Sequence, residues 1–130
     1  MKIGSRGNGL LRWLAAGFAV ASYLLIFACN SVFIPIPPPD PTFSEGTTPG
    51  QWSVSTPPDS RTVDARFYIY NKALGAGLIQ KAAPDGSMYA AGLQGQAGDA
   101  IEIWWEKSPT QLSLAICRPL GTGLVTQACQ

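Results

Sequence analysis

The chain has no histidine among its 130 residues, and only 13% of them carry charge. Without imidazole, the usual general base near neutral pH and the commonest metal ligand are missing. Ser-His-Asp and Cys-His arrangements are excluded outright. Acid chemistry is equally thin. Glu102 and Glu106 fall on one face of one strand, about 13 Å apart at ~3.3 Å per residue. That exceeds the roughly 5–9.5 Å that separates paired glycosidase carboxylates. Lys81 and Ser87 flank a turn, which makes a weak dyad. Glycine-rich phosphate loops opening a helix are absent. Asp85-Gly86 and Gly98-Asp99 read as turns, because neither has the clustered acids of a calcium site. The sequence therefore argues against an enzyme and implies no metal and no cofactor.

Long apolar runs are also lacking, with one short exception at the start. Lys2, Arg6 and Arg12 precede an uncharged stretch, Trp13–Ala28, that ends at Cys29. Sixteen helical residues span about 24 Å at ~1.5 Å each, short of a membrane crossing. A basic start followed by a short apolar core is the layout of an export signal. Ile26-Phe27-Ala28-Cys29 then resembles the lipobox of bacterial lipoproteins, which has an aliphatic residue three before a cysteine and a small one directly before it. Phe27 stands where a small or β-branched residue is more usual. The resemblance implies cleavage before Cys29, acyl chains on its sulfur, and a membrane as partner through that anchor. It implies a bacterial cell envelope, facing the periplasm or the exterior. Asn30, rather than Asp, resembles lipoproteins sent to the outer membrane. An uncleaved signal anchor and plain secretion after Ala28 are the competing readings.

Removing the three basic signal residues leaves six basic against eight acidic residues, a net of −2. A slightly acidic module does not suit nucleic acid. Cys117 and Cys129 lie beyond the export signal, where thiols oxidise. Their spacing suits two strands of one hairpin, so a disulfide is expected; free thiols or a metal site are the alternatives.

Residues 30–60 hold eight of the eleven prolines. Pro35–Pro41 predicts a polyproline II spacer, because proline fixes φ and removes donors. A ligand for a proline-recognition domain is the other reading. Val32, Phe33, Ile34 and Ile36 are apolar enough to sit against lipid or against the folded module. The organisation is thus a signal over 1–28, a lipidated cysteine and tether over 29–50, and a folded domain over 51–130.

From residue 61 onward, short alternating runs are bounded by turn residues, and one candidate strand precedes them. Gln51–Ser55 reads as a first edge strand with Trp52 and Val54 on one face. Arg66–Tyr70, Leu78–Ala82, Ser87–Ala91, Ala100–Glu106, Leu112–Cys117 and Leu124–Cys129 follow. About seven strands at roughly ten-residue spacing predict an all-β, antiparallel sandwich. The expected core is Phe67, Ile69, Ile79, Met88, Ile101, Ile103, Trp105, Leu112, Leu114 and Ile116. Cys117 falls on the opposite parity, so its disulfide belongs on the outer face unless a bulge shifts the register.

Asn71, Gly77, Asp85-Gly86-Ser87, Tyr89 and Gly98-Asp99 form a series of strand junctions. Over about forty residues this resembles the bacterial Ig-like and carboxypeptidase-regulatory-like modules of secreted and surface proteins. The resemblance implies a sandwich and says little about function. One constellation stands apart. Arg66, Tyr68 and Tyr70 share a face, and Trp104 shares one with Glu102 and Glu106. If the two strands are neighbours, the outer face is an aromatic strip flanked by charge, suited to an envelope protein or a glycan. Cover by the tether, or an Arg66–glutamate pair across the strands, would remove it. A structural subunit adding an edge strand to a partner, and a small enzyme inhibitor presenting the 117–129 hairpin, are the alternative functions.

Overall fold

A computed structural model describes residues 34–130, and the expected signal and Cys29 lie outside the described residues. Among the described residues, nine strands form two antiparallel sheets, giving the all-β sandwich that the alternation predicts. The first sheet contains β1 (Thr42–Glu45), β2 (Gln51–Thr56), β5 (Met88–Gln94) and β9 (Gly123–Leu124), in the order β5-β2-β1-β9. The second contains β3 (Arg66–Asn71), β4 (Ala76–Lys81) and β6 (Ala100–Ser108) in the order β4-β3-β6. β7 (Gln111–Leu112) and β8 (Ile116–Pro119) follow one another along the far side of β6.

Period-2 alternation builds the core as expected. β3 sends Phe67 and Ile69 inward, and β6 sends Ile101, Ile103 and Trp105 to meet them. From the facing sheet come Phe43, Trp52, Val54, Met88 and Leu93. Each such side chain contributes roughly 1.5–3 kcal/mol when fully buried.

Three expected core residues prove exposed: Ile79, Leu112 and Leu114. In β4, Leu78 lies opposite Ile69 and turns inward, so its neighbour Ile79 must turn out, opposite Tyr68. Leu112 and Leu114 miss the core for a different reason. Leu112 pairs with Glu106 on the outer face, whereas Ile116 pairs with Ile103 on the inner one. One extra residue between them shifts the parity. Ser113 bridges the break: its amide donates to Trp105 O, and its hydroxyl accepts from Trp105 N at 2.8 Å.

The segment expected as tether also contributes to the fold. β1 lies within it, so Gln51–Thr56 is an interior strand between β1 and β5 instead of a first edge. Pro38 and Pro41 are buried against the module. Arg118 donates from Nε and Nη2 to Asp40 Oδ1, at 3.0 and 2.7 Å, and Val125 N donates to Pro41 O. The proline run is therefore seated on the module from Pro38 onward.

Cys117 and Cys129 are joined by a disulfide, with Cα atoms 5.4 Å apart. Cys117 lies opposite Glu102 on the outer face, as its parity predicts. The expected 117–129 hairpin does not form. After β8 the chain leaves the second sheet, Leu120 plugs the core, and β9 pairs with β1 in the first sheet. The disulfide then returns the C-terminal segment to β8, where Cys129 N donates to Cys117 O.

The turns lock the two ends. At one, Asp59 caps a 3-10 turn (Ser60–Thr62) by accepting from Arg61 N, and the buried Thr62 hydroxyl lies 2.6 Å from Gly86 O. Gly86 has φ +81°, and a Cβ there would collide with Asp59 O. At the other end, Asn71 is fully buried with all of its polar capacity used. Its Oδ1 accepts from Ala73 N and Leu74 N, and its Nδ2 donates to Gln94 O and Asp99 Oδ2, both at 2.9 Å.

Replacing Asn71 with Ala is expected to lower unfolding stability by about 2–3 kcal/mol, since buried partners are left unpaired. The bond from Asn71, then the Gln96 amide, holds the Asp99 carboxyl below its ordinary value. A depressed carboxyl adds stability above the unfolded pKa of about 3.9, and this is lost as pH falls through the folded value. Urea midpoints measured from pH 7 down to pH 2.5 should therefore show a smaller acid loss in the Asn71 variant than in the parent. Removing both Cys117 and Cys129, by substitution with Ala, should cost about 3 kcal/mol, the loop-closure value for a ring of this length. Far-ultraviolet dichroism should keep its β signature, and the denaturation midpoint should drop.

Candidate outer-face binding site

The second sheet turns one face to solvent, and the register of three strands fixes what it carries. β3 and β6 are neighbours, so Arg66 lies opposite Glu106, Tyr68 opposite Trp104 and Tyr70 opposite Glu102. β4 adds Lys81 beside Arg66, Ile79 beside Tyr68 and Gly77 beside Tyr70. All four expected face residues, Arg66, Tyr68, Tyr70 and Trp104, are thus brought to one surface. Its middle row runs Ile79–Tyr68–Trp104, with charged or polar rows above and below. Among the described residues, the proline segment is held at the Arg118 edge through Asp40.

The aromatic geometry differs from an open strip. Tyr68 and Trp104 stack face to face, with centroids 5.2 Å apart and planes 4° from parallel. Neighbouring strands lie only about 4.8 Å apart, so rings stacked across them stand upright on the sheet. One flat face of each ring is turned to the other, and both residues are half-buried. Ile79, by contrast, is 65% exposed. Tyr70 reaches along the hairpin toward Gly75, where a Cβ would lie 3.7 Å from its hydroxyl.

Charge on the face is partly committed. The Tyr68 hydroxyl donates to Glu106 Oε2 at 2.9 Å. Lys72 Nζ lies 2.9 Å from Glu102 Oε1, an exposed pair of small energetic weight. Arg66 and Glu106 share a register position, yet among the described residues no ion pair links them. Arg66 and Lys81 instead line a shallow polar hollow with Asp64, Glu106, Lys107 and Ser108. Sequence parity found the aromatic and charged residues of this face. It missed Ile79, whose outward turn depends on which of two adjacent apolar residues the sheet selects.

The described residues contain no group of three or more Cys, Asp or Glu placed to hold a metal ion. No protein-family model, curated protein or solved structure matches this chain.

The stacked pair gives a direct measurement. A double-mutant cycle of Tyr68→Ala and Trp104→Ala should return a coupling of about 0.5–1.5 kcal/mol in urea unfolding. Tyr68→Phe alone should cost about 1 kcal/mol or less by losing the bond to Glu106. A coupling near zero would mean that the rings do not stack in solution.

Proposed function

We propose that this chain is a lipid-anchored, non-catalytic protein of a bacterial cell envelope, acting as a binding or accessory module. Acyl chains on Cys29 hold it to a membrane, the outer membrane rather than the inner on the resemblance at Asn30. The folded part is an Ig-like module, and its ligand is met by the outer face of the second sheet. The observation that carries the choice of face is the row Ile79–Tyr68–Trp104, apolar and framed by charges of both signs. Such a row suits the surface of another envelope protein better than a glycan. Sugar stacking needs a ring face turned to solvent; the pair commits one face of each ring to the other, and Ile79 flanks Tyr68 on its far side. A partner protein can cover Ile79 and the ring edges while pairing with Arg66 and Lys81 at the margin.

A second reading is favoured by one specific feature. β4 bonds to β3 on one side only, and from Ala76 to Gln80 it carries no charge. A structural subunit that gains a strand from a partner would use such an edge.

Two experiments separate these statements. Cys29→Ala is expected to move the protein from the membrane fraction to the soluble one, with loss of the diacylglycerol mass. Unchanged fractionation, together with an unmodified Cys29 in the parent, overturns the anchor. A photoreactive residue at position 79 should give an adduct with an envelope protein in whole cells, and one at Tyr89, on the opposite sheet, should not. A glycan adduct at 79 selects the other ligand class, and equal labelling at both positions removes the face.

A further inference from the structure

The residues between Cys29 and the module could rest on the module or on lipid, and the structure bears on that choice. Ile34 is 72% exposed and Ile36 is 39% exposed, while Pro38 is buried. The seated part of the chain thus begins two residues after Ile36, and neither isoleucine joins the core. The sequence before that point has unusual freedom to leave water. From Trp13 to Pro39 it carries no charge, and the first charge, Asp40, is neutralised by Arg118 at 2.7 Å. Pro35, Pro37, Pro38 and Pro39 have no amide hydrogen, so fewer backbone donors have to be desolvated when this segment enters an apolar boundary.

We infer that Ile34 and Ile36 are a second membrane contact, seated at the acyl-chain boundary of the same bilayer that holds Cys29. This rests on the lipid-anchor reading above. The occupant follows from chain length. Ile34 is five residues from Cys29, a reach of at most about 18 Å at ~3.6 Å per residue for a fully extended chain. Interfacial apolar groups bury about 5–10 Å into the headgroup and acyl boundary, which is within that reach. Two acyl chains on one sulfur already hold a protein on a bilayer, so the contact is not needed for retention. The contact sets orientation instead. The Asp40–Arg118 pair and the buried Pro38 and Pro41 couple the segment to the module, so fixing Ile36 at a bilayer restricts how the sandwich can tilt above it.

The test uses the full lipidated chain in vesicles of phosphatidylethanolamine and phosphatidylglycerol. An environment-sensitive fluorophore is placed at Ile34→Cys, at Ile36→Cys or, as control, at the exposed Leu124→Cys. Nitroxide-bearing lipids then report depth, and mass spectrometry reports acylation of Cys29 in the same samples. Quenching several-fold stronger at 34 and 36 than at 124 is the expected result. Equal quenching at all three positions, with Cys29 acylated and the protein on the vesicles, overturns this inference and leaves the anchor standing. A bare Cys29 thiol with no vesicle binding overturns the anchor, and this inference with it.

Discussion

The loop Gly95–Asp99 is the point on which the two sheets are aligned, and its hold on the rest is made of hydrogen bonds, not apolar contact. Asp99 accepts from the Asn71 amide and from Gln96 N through one oxygen. Gly95 offers its carbonyl to the Trp52 indole and its amide to Gly50 O. Gly98 and Asp99 exchange bonds with Leu120. Three segments distant in sequence therefore meet at one short turn. The turn admits no side chain at Gly95, where a Cβ would lie 2.7 Å from Asn71 Nδ2 and 2.8 Å from Leu120 Cδ2. Hydrophobic burial supplies most of the energy of a sandwich but little directional information. This polar junction supplies direction, because each donor accepts one placement of its partner.

The position of the outer face follows from that junction. Asn71 ends β3, and the strand residues before it alternate from a fixed starting point. Phe67 and Ile69 must then face the core while Arg66, Tyr68 and Tyr70 face solvent. Lys72 N donates to Ala100 O just beyond the same residue, which holds β6 in step with β3. The stack of Tyr68 on Trp104 is a consequence of that register.

Much of this was legible in the residues themselves. Arg66–Tyr70 and Ala100–Glu106 alternate without interruption, so period alone reveals their inner and outer faces. Asp85-Gly86 and Gly98-Asp99 announce turns through their own chemistry. Other features depend on information no short window contains. β1 reads as tether because Thr42–Glu45 follows a run of prolines, and only pairing with Ser55–Trp52 makes it a strand. Leu78 and Ile79 are equally apolar, and the choice between them belongs to β3. The slip between β7 and β8 is bridged by one residue, Ser113, through its amide and its hydroxyl. Arg118 and Asp40 are 78 residues apart. The upright posture of Tyr68 is a matter of rotamers, on which sequence is silent.

The entry of the chain through Pro38–Pro41 has a mechanical consequence. β1 lies between β2 and β9, bonded to both. Tension arriving along the proline segment is first shared with Arg118, through the side chain of Asp40. What remains loads the β1 ladders along their length, so neighbouring rungs resist together rather than opening one at a time. β9 in turn sits inside the covalent ring closed by Cys117 and Cys129. The strand that takes the pull is thus braced by a segment whose excursion from β8 is limited to the span of that ring.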